Sequence, residues 1–218
     1  MKLQQIKNKS SYLIAVTGVF GSGKSTVGKA VSKHSLSVID TDDIVREILS
    51  KENEVINEIV SEFGKDVLSV NTAQYINKKN LAEIIFSDES KRKKLESILH
   101  PRVRAILNDE FILNKDKSAI IFALVPLLAE ANFEDMFDEI WCVICDHSPR
   151  TERLLKKGFS LSEINARTSS QLPQDEKARR ADFVIDNSGS VSETESQVNE
   201  RLKQLAQLNH SLHLSFDK

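Results

Sequence analysis

Apolar residues in this chain fall into two patterns, short unbroken runs and stripes at helical spacing. The unbroken runs predict five strands, at residues 12–17, 36–40, 118–125, 139–145 and 182–186. All but the second are mostly continuous and rich in Ile and Val, as strands of a parallel sheet covered on both faces are. Helical stripes separate them, and that alternation predicts a doubly wound α/β fold with helices on both faces of the sheet. Residues 43–117 show no convincing strand and read as helices near 44–49, 55–63, 79–86 and 89–113. The last carries Leu95, Ile98, Leu99, Val103, Ile106, Leu107 and Phe111 on one side. Pro101 in its middle predicts a kink or two helices. Residues 146–180 read as a second helical stretch. Here Ser148-Pro149 looks like a cap followed by a first helical position, and Ser160 to Glu163 fits a capping box. Residues 172–175 (LPQD) break and restart a helix. A final amphipathic helix is expected over 192–208, opened by a second box at Ser192 and Glu195.

Directly after the first strand, Gly18-Val19-Phe20-Gly21-Ser22-Gly23-Lys24-Ser25 fits GxxxxGK[ST]. Strand before and helix after is the context this phosphate-binding loop requires. Glycines let successive N–H groups face one anion, and the following helix aims its positive end at the same place. Lys24 adds a full charge for the β/γ-phosphates, and Ser25 offers a hydroxyl to Mg²⁺. The loop, with Thr26 after it, therefore predicts binding of a nucleoside triphosphate.

The third strand ends without an acidic residue, whereas the second runs into Val38-Ile39-Asp40-Thr41-Asp42-Asp43. On an extended chain Asp40 and Asp42 face one side, so one of the pair can serve Mg²⁺ through water while the other takes a proton from an attacking hydroxyl. The plainer role for this cluster is a cap by Asp42 or Asp43 on the helix at 44–49. A GTPase would need N-K-x-D. Asn77-Lys78-Lys79-Asn80 lacks the Asp, and the D-x-x-G at Asp186–Gly189 lies after the last strand.

The chain has 218 residues, 40% hydrophobic and 28% charged, enough for one α/β domain with an insertion. A net charge of -2 gives no electrostatic case for nucleic acid or an anionic membrane. No apolar run reaches spanning length and the polar first residues lack a signal core, so a cytoplasmic protein is expected. Nothing in the sequence fixes an oligomeric state. Cys142 and Cys145 form a C-x-x-C inside a β-rich run, where buried strand cysteines are expected rather than a redox pair or a zinc site. Residues 147–180 carry Arg150, Arg153, Lys156, Lys157, Arg167, Lys177, Arg179 and Arg180, the composition of a lid that reaches phosphates and excludes water.

An ordered set of motifs runs along the chain. These are TGxxGSGKS at residues 17–25, the D-x-D with downstream Arg at Asp40, Asp42 and Arg46, and His100-Pro101. V-P-L-L-x-E at 125–130, Arg153-Leu154, Ala166-Arg167 with Gln171, and A-D-x-V-I-D-N-S-G at 181–189 follow. On these motifs the chain, from Ile14 to about Leu208, resembles the dephospho-CoA kinase family. The resemblance implies a P-loop kinase core (12–49, 114–146, 181–218) behind a polar tail (1–11), a helical acceptor lobe (50–113) and a lid (147–180). It implies transfer of the ATP γ-phosphate, with Mg²⁺, to the ribose 3′-hydroxyl of dephospho-CoA. Residue by residue, Gly18, Phe20, Gly21, Ser22, Gly23, Lys24, Ser25 and Thr26 would hold ATP, Asp42 would be the general base and Asp40 the Mg²⁺ or positioning partner. Arg46, His100, Pro126 and Leu127 would face the acceptor, Arg153 and Arg167 would come from the lid, Arg153 reaching the transferring phosphate as a catalytic and ATP-binding residue beside Lys24, and Asn187 would bind ATP near the adenine. Three positions depart from the family's pattern: Val19-Phe20 stand where Gly-Ile is usual, Ala129 where an aromatic is usual, and Lys156-Lys157 where a second Arg is common. Two other readings are a kinase for another nucleotide or small molecule, and an ATP-binding regulator without catalysis. The first would have a shorter lobe without the HP and VPLL motifs, the second would have lost Lys24 or the Asp pair.

Overall fold

The computed structural model describes residues 11–69, 72–86, 88–115 and 120–208. The elements run β1 (Tyr12–Thr17), α1 (Lys24–Ser32), β2 (Ser37–Asp40), α2 (Thr41–Lys51), α3 (Asn53–Phe63), β3 (Leu68–Ser69), β4 (Thr72–Ile76), α4 (Lys78–Phe86) and α5 (Glu89–Asn114). They continue with β5 (Ile120–Leu124), β6 (Glu139–Ile144), α6 (His147–Lys156), α7 (Leu161–Ser169), α8 (Gln174–Arg180), β7 (Phe183–Asp186) and α9 (Val191–Leu208). The expected start of the third strand at Ser118, the first residues of the polar tail and the chain beyond residue 208 lie outside the described residues.

All five expected strands form one sheet in the order β2-β5-β1-β6-β7. β1 runs parallel to both β5 and β6, and β7 runs parallel to β6. Strand order therefore reverses at β1, and the crevice beyond its carboxyl end is where such sheets bind ligands. Alternation explains the continuous apolar runs. Ile14, Val16, Phe122, Trp141, Val143 and Ile185 join Val27 and Val31 of α1 and Val198, Leu202 and Leu205 of α9 in one cluster. The intervening Ala15, Ile121, Ala123, Ile140 and Cys142 point to the other face and are also buried. Trp141 anchors the first face, edge-on to Phe122 and Phe183 at ring separations of 5.0 and 5.3 Å.

Chain contacts divide the protein into two units, Met1–Ile39 with Glu110–Lys218, and Asp40–Asp109. The second unit is helical around a core that includes Ile48, Ile56, Ile59, Val67 and Leu107. It also holds a short antiparallel hairpin, β3–β4, where no strand is expected from sequence. The strands are short and β4 (TAQYI) mixes polar with apolar residues, so no continuous run announces it. α5 is one continuous helix through the exposed Pro101, not two.

Three helix starts differ from expectation. α2 begins at Thr41, and its cap is Asp40, whose side chain accepts from the Asp42 N–H, so Asp42 and Asp43 lie in the first turn instead of capping it. α6 begins at His147 rather than after Ser148, which puts Pro149 third in its first turn, where a helix leaves N–H groups unpaired and a proline loses nothing. The last capping box is formed by Ser190 and Glu193, not Ser192 and Glu195, and Glu195 instead pairs with Lys33 of α1 at 2.6 Å. The Ser160–Glu163 box forms as expected.

Candidate active site

The loop from Gly18 to Gly23 leaves the carboxyl end of the central strand and enters α1 at Lys24. Gly23 adopts φ 107° and ψ 23°, and a Cβ there would collide with the Asn187 carboxamide. Gly18 is equally constrained, since a Cβ on it would meet the Val143 carbonyl of β6. Among the described residues no protein acceptor takes the N–H groups of Gly21 and Gly23. Unpaired amides at a helix start form an anion cradle. Lys24 Nζ folds over the same loop and donates to the carbonyls of Gly18 and Val19, at 2.8 and 3.2 Å. The Ser22 hydroxyl is buried without a hydrogen-bond partner. Ser25 is exposed in the first turn of α1, and its hydroxyl makes no hydrogen bond to protein among the described residues. A hydroxyl oxygen is one of the hard donors Mg²⁺ takes, so Ser25 fits that ion by donor type, and in the second unit the Asp40 carboxylate does so too.

Asn187 lies under the loop. Its Nδ2 donates to the Ser22 carbonyl at 2.7 Å, and its Oδ1 accepts from Thr194 Oγ1 of α9 at 2.8 Å. Both ends of its buried carboxamide are thus used in holding the loop to α9. Arg153 of α6 fans its guanidinium over the next turn, donating to the carbonyls of Asn187 (2.5 Å), Ser188 (3.3 Å) and Gly189 (2.6 Å). Leu154 beside it packs beneath Gly21. The structure therefore brings α6, the 187–189 turn and the P-loop together, with Arg153 and Asn187 bracing that turn and the loop.

Pro126 follows β5, and its carbonyl accepts from Thr17 Oγ1 at 3.4 Å and from Lys177 Nζ at 2.9 Å. Lys177, 1% exposed, also binds both oxygens of Glu130, at 2.7 and 2.9 Å, and Glu130 takes the Leu172 N–H at 2.9 Å. This buried network ties the V-P-L-L-A-E segment to the start of α8. Pro126 and Leu127 are half-buried beside it. Arg167 lies against the aromatic rings of Phe20 and Phe159. Sequence alone ranks Lys177 only as one basic residue among many, because its partner is 47 positions away.

In the second unit, Asp42 and Asp43 are exposed in the first turn of α2. Arg46 pairs with Asp43 at 2.5 Å. The Asp42 carboxylate makes no hydrogen bond or salt bridge to protein among the described residues. Lys78, missed from sequence, belongs to this neighbourhood. Desolvation and the Arg46 charge lower its ammonium pKa, while Asp42 and Asp43 oppose that shift. His100 is half-buried in α5, and burial pushes its imidazole pKa down against the pull of Glu96. The cysteines are free and buried. Burial raises both thiols, Cys142 to about 11, which removes the thiolate that redox or metal chemistry needs.

Taken together, the first unit holds a phosphate cradle with a lysine across it and a basic helical segment packed on it. The second holds Asp42 in the first turn of α2, with a carboxylate that makes no hydrogen bond or salt bridge to protein among the described residues. A phosphate cradle of the first kind suits phosphoryl transfer, and an exposed carboxylate of the second kind suits accepting a proton from a hydroxyl. Comparison with known proteins points the same way. The dephospho-CoA kinase family model matches residues 12–193. A dephospho-CoA kinase of Listeria innocua is 37% identical over 187 residues, covering 85% of this chain and 92% of that protein. The crystal structure of TT1252 from Thermus thermophilus superposes with a TM-score of 0.75 at 30% identity, over 89% of this chain and 98% of that one. Dephospho-CoA kinase from Campylobacter jejuni gives 0.65 at 28% identity, over 89% and 97%. With the family's match running from β1 into α9, and the P-loop, the D-x-D and the V-P-L-L-A-E segment all inside it, the chain belongs to the dephospho-CoA kinase family.

Proposed function

We propose that this protein transfers the γ-phosphoryl group of ATP to the ribose 3′-hydroxyl of dephospho-CoA, giving CoA and ADP. The observation that carries the reading is a P-loop whose Gly21 and Gly23 amides have no protein acceptor among the described residues, with a lysine over it, in a chain that matches this family over residues 12–193. Gly21, Gly23 and Lys24 bind the phosphate chain, with Gly18, Phe20, Ser22, Ser25 and Thr26 completing the loop. Lys24 leaves the Gly18 and Val19 carbonyls for the β/γ-phosphates and stabilises the charge that develops there. Ser25 and Asp40 are the residues to hold Mg²⁺, which when bound neutralises phosphate oxygens.

Asp42 is the general base. Its carboxylate is exposed and makes no hydrogen bond or salt bridge to protein among the described residues, whereas Asp40 is engaged as a helix cap and Asp43 in an ion pair, so Asp42 is the one to accept the ribose proton. Arg46, His100, Pro126 and Leu127 serve the acceptor side, with residues 50–113 as the acceptor lobe. Residues 147–180 form the lid over the core built from 12–49, 114–146 and 181–218. Arg153 acts there by holding the 187–189 turn, and Asn187 by fixing the P-loop floor near the adenine. Work in the cytoplasm, without nucleic acid or membrane partners, is part of this proposal, and the small net charge of -2 is what supports it.

A coupled ADP-release assay against a panel of acceptors tests the reading. Dephospho-CoA is expected to give the highest kcat/KM by orders of magnitude over nucleosides, nucleotides and small hydroxy acids. A higher kcat/KM for another acceptor, or ATP binding without turnover on any, overturns it.

A further inference from the structure

One helix of the lid segment grips one residue of the P-loop in three ways. The guanidinium carbon of Arg167 lies 5.0 Å from the ring centroid of Phe20 and 5.1 Å from that of Phe159. The two rings meet edge to face at 5.2 Å and 88°. Two residues beyond the end of α7, Gln171 Oε1 accepts the Phe20 backbone N–H at 2.7 Å. The attachments come from the start, the last turn and the exit of the same helix. Its start is fixed by the Ser160–Glu163 box, with Phe159 and Ile164 at the positions of a hydrophobic staple.

This geometry has a chemical consequence. The two ring faces stand at 88° to one another and hold the guanidinium in the corner between them, and none of its N–H groups has a protein acceptor among the described residues, so those that point away from the rings are left for an anion. Among the described residues no carboxylate forms a salt bridge with Arg167, and although the Glu163 carboxylate one turn earlier feels its charge, direct contact comes from the aromatic faces. The unpaired amide of Gly21 is the very next residue after Phe20. A long arginine side chain otherwise has many rotamers to lose when it engages a phosphate. Gln171 meanwhile occupies the Phe20 N–H and leaves those of Gly21 and Gly23 to the ligand.

We propose that Phe20, with Phe159, is a positioning residue that holds Arg167 at the P-loop with its N–H edge turned to the transferring phosphate. The proposal rests on the phosphoryl-transfer reading of this same site. Phe20 acts through Arg167, so the two contributions to turnover are one contribution.

The test is a double-mutant cycle on kcat, with KM for ATP measured alongside, using Phe20→Leu, Arg167→Ala and the pair. Phe20→Leu is expected to lower kcat by about 5–30-fold, the worth of a partly desolvated cation–π contact, with a far smaller change in KM for ATP. In the Arg167→Ala background the same substitution should change kcat less than about twofold. Phe20→Tyr, which keeps the ring, should restore most of the turnover. Phe159→Leu lies outside the P-loop and should show the same dependence on Arg167, which keeps the test open if Phe20→Leu fails to fold. If Phe20→Leu and Phe159→Leu cost as much without Arg167 as with it, the positioning role is wrong while the kinase reading stands. A wild-type protein that releases no ADP in response to dephospho-CoA defeats the kinase reading instead.

Discussion

Replacing Lys177 with Met should be among the most damaging single changes in the core, although the proposed chemistry gives Lys177 no part. Its three ammonium protons have three acceptors, the two oxygens of Glu130 and the carbonyl of Pro126, all between 2.7 and 2.9 Å. The side chains are 1% and 16% exposed, so water screens the pair little. A Met of similar length fills the space but leaves the Glu130 carboxylate with only the Leu172 N–H, and leaves the Pro126 carbonyl with the long Thr17 bond of 3.4 Å. Breaking one side of a buried pair costs about 3–5 kcal/mol. With a urea slope of about 2–3 kcal/mol/M, the midpoint should fall by about 1–2.5 M at an unchanged slope. Urea titrations followed by far-UV circular dichroism measure this. The double change Lys177→Met with Glu130→Met removes the orphaned charge and should recover part of the loss. A midpoint shift below about 0.3 M, or a double variant less stable than Lys177→Met alone, would refute the argument that an uncompensated buried carboxylate is the cause.

Three further outcomes are expected. Lys24→Ala should fold normally and lose about 10²–10³ in kcat, the cost of one preorganised charge at the transferring phosphate; steady-state kinetics beside a thermal melt checks both halves. Asp42→Asn should lower kcat by about 10²–10⁴ with ATP affinity retained in a nucleotide titration, and an active Asp42→Asn with an inactive Asp40→Asn would exchange the two roles. His100 supplies a pH signature. Its folded pKa lies below 6.5, so as pH falls through 6.5 the unfolded chain takes up a proton that the folded chain does not, and stability drops. The loss of Tm between pH 7.5 and 5.5 should therefore be smaller in His100→Asn than in the wild type.

What is legible in the sequence is what short-range patterning encodes. The YLIAVT and EIWCVI runs are continuous because their sheet is buried on both faces, and that continuity marks them as strands. The P-loop is legible because its spacing, its glycines and its flanking elements are local. The hairpin β3–β4 is not, since short mixed strands carry no periodic signal. The caps slip because Asp40, Asp42 and Asp43 are all good capping types. The choice depends on where the sheet strand ends, and it ends at Asp40 itself. Ser190 and Ser192 pose the same ambiguity, resolved toward Ser190 by its reciprocal bonds with Glu193. Contacts across long separations leave no local trace at all. Asn187 reaches Ser22 over 165 positions, Gln171 reaches Phe20 over 151, and Lys177 reaches Pro126 over 51. Motifs mark Asn187 and Gln171, and charge marks Lys177, but only the fold supplies the partner of each.

The central claim is tested most directly by following the phosphoryl group itself. The purified protein is incubated with γ-labelled ATP, Mg²⁺ and dephospho-CoA, and the labelled product is separated and its phosphate position assigned by NMR. The account predicts label on the ribose 3′-oxygen of CoA, with one ADP formed per CoA and both lost together in Lys24→Ala. Label recovered only as inorganic phosphate, or on a different oxygen of the acceptor, would contradict it.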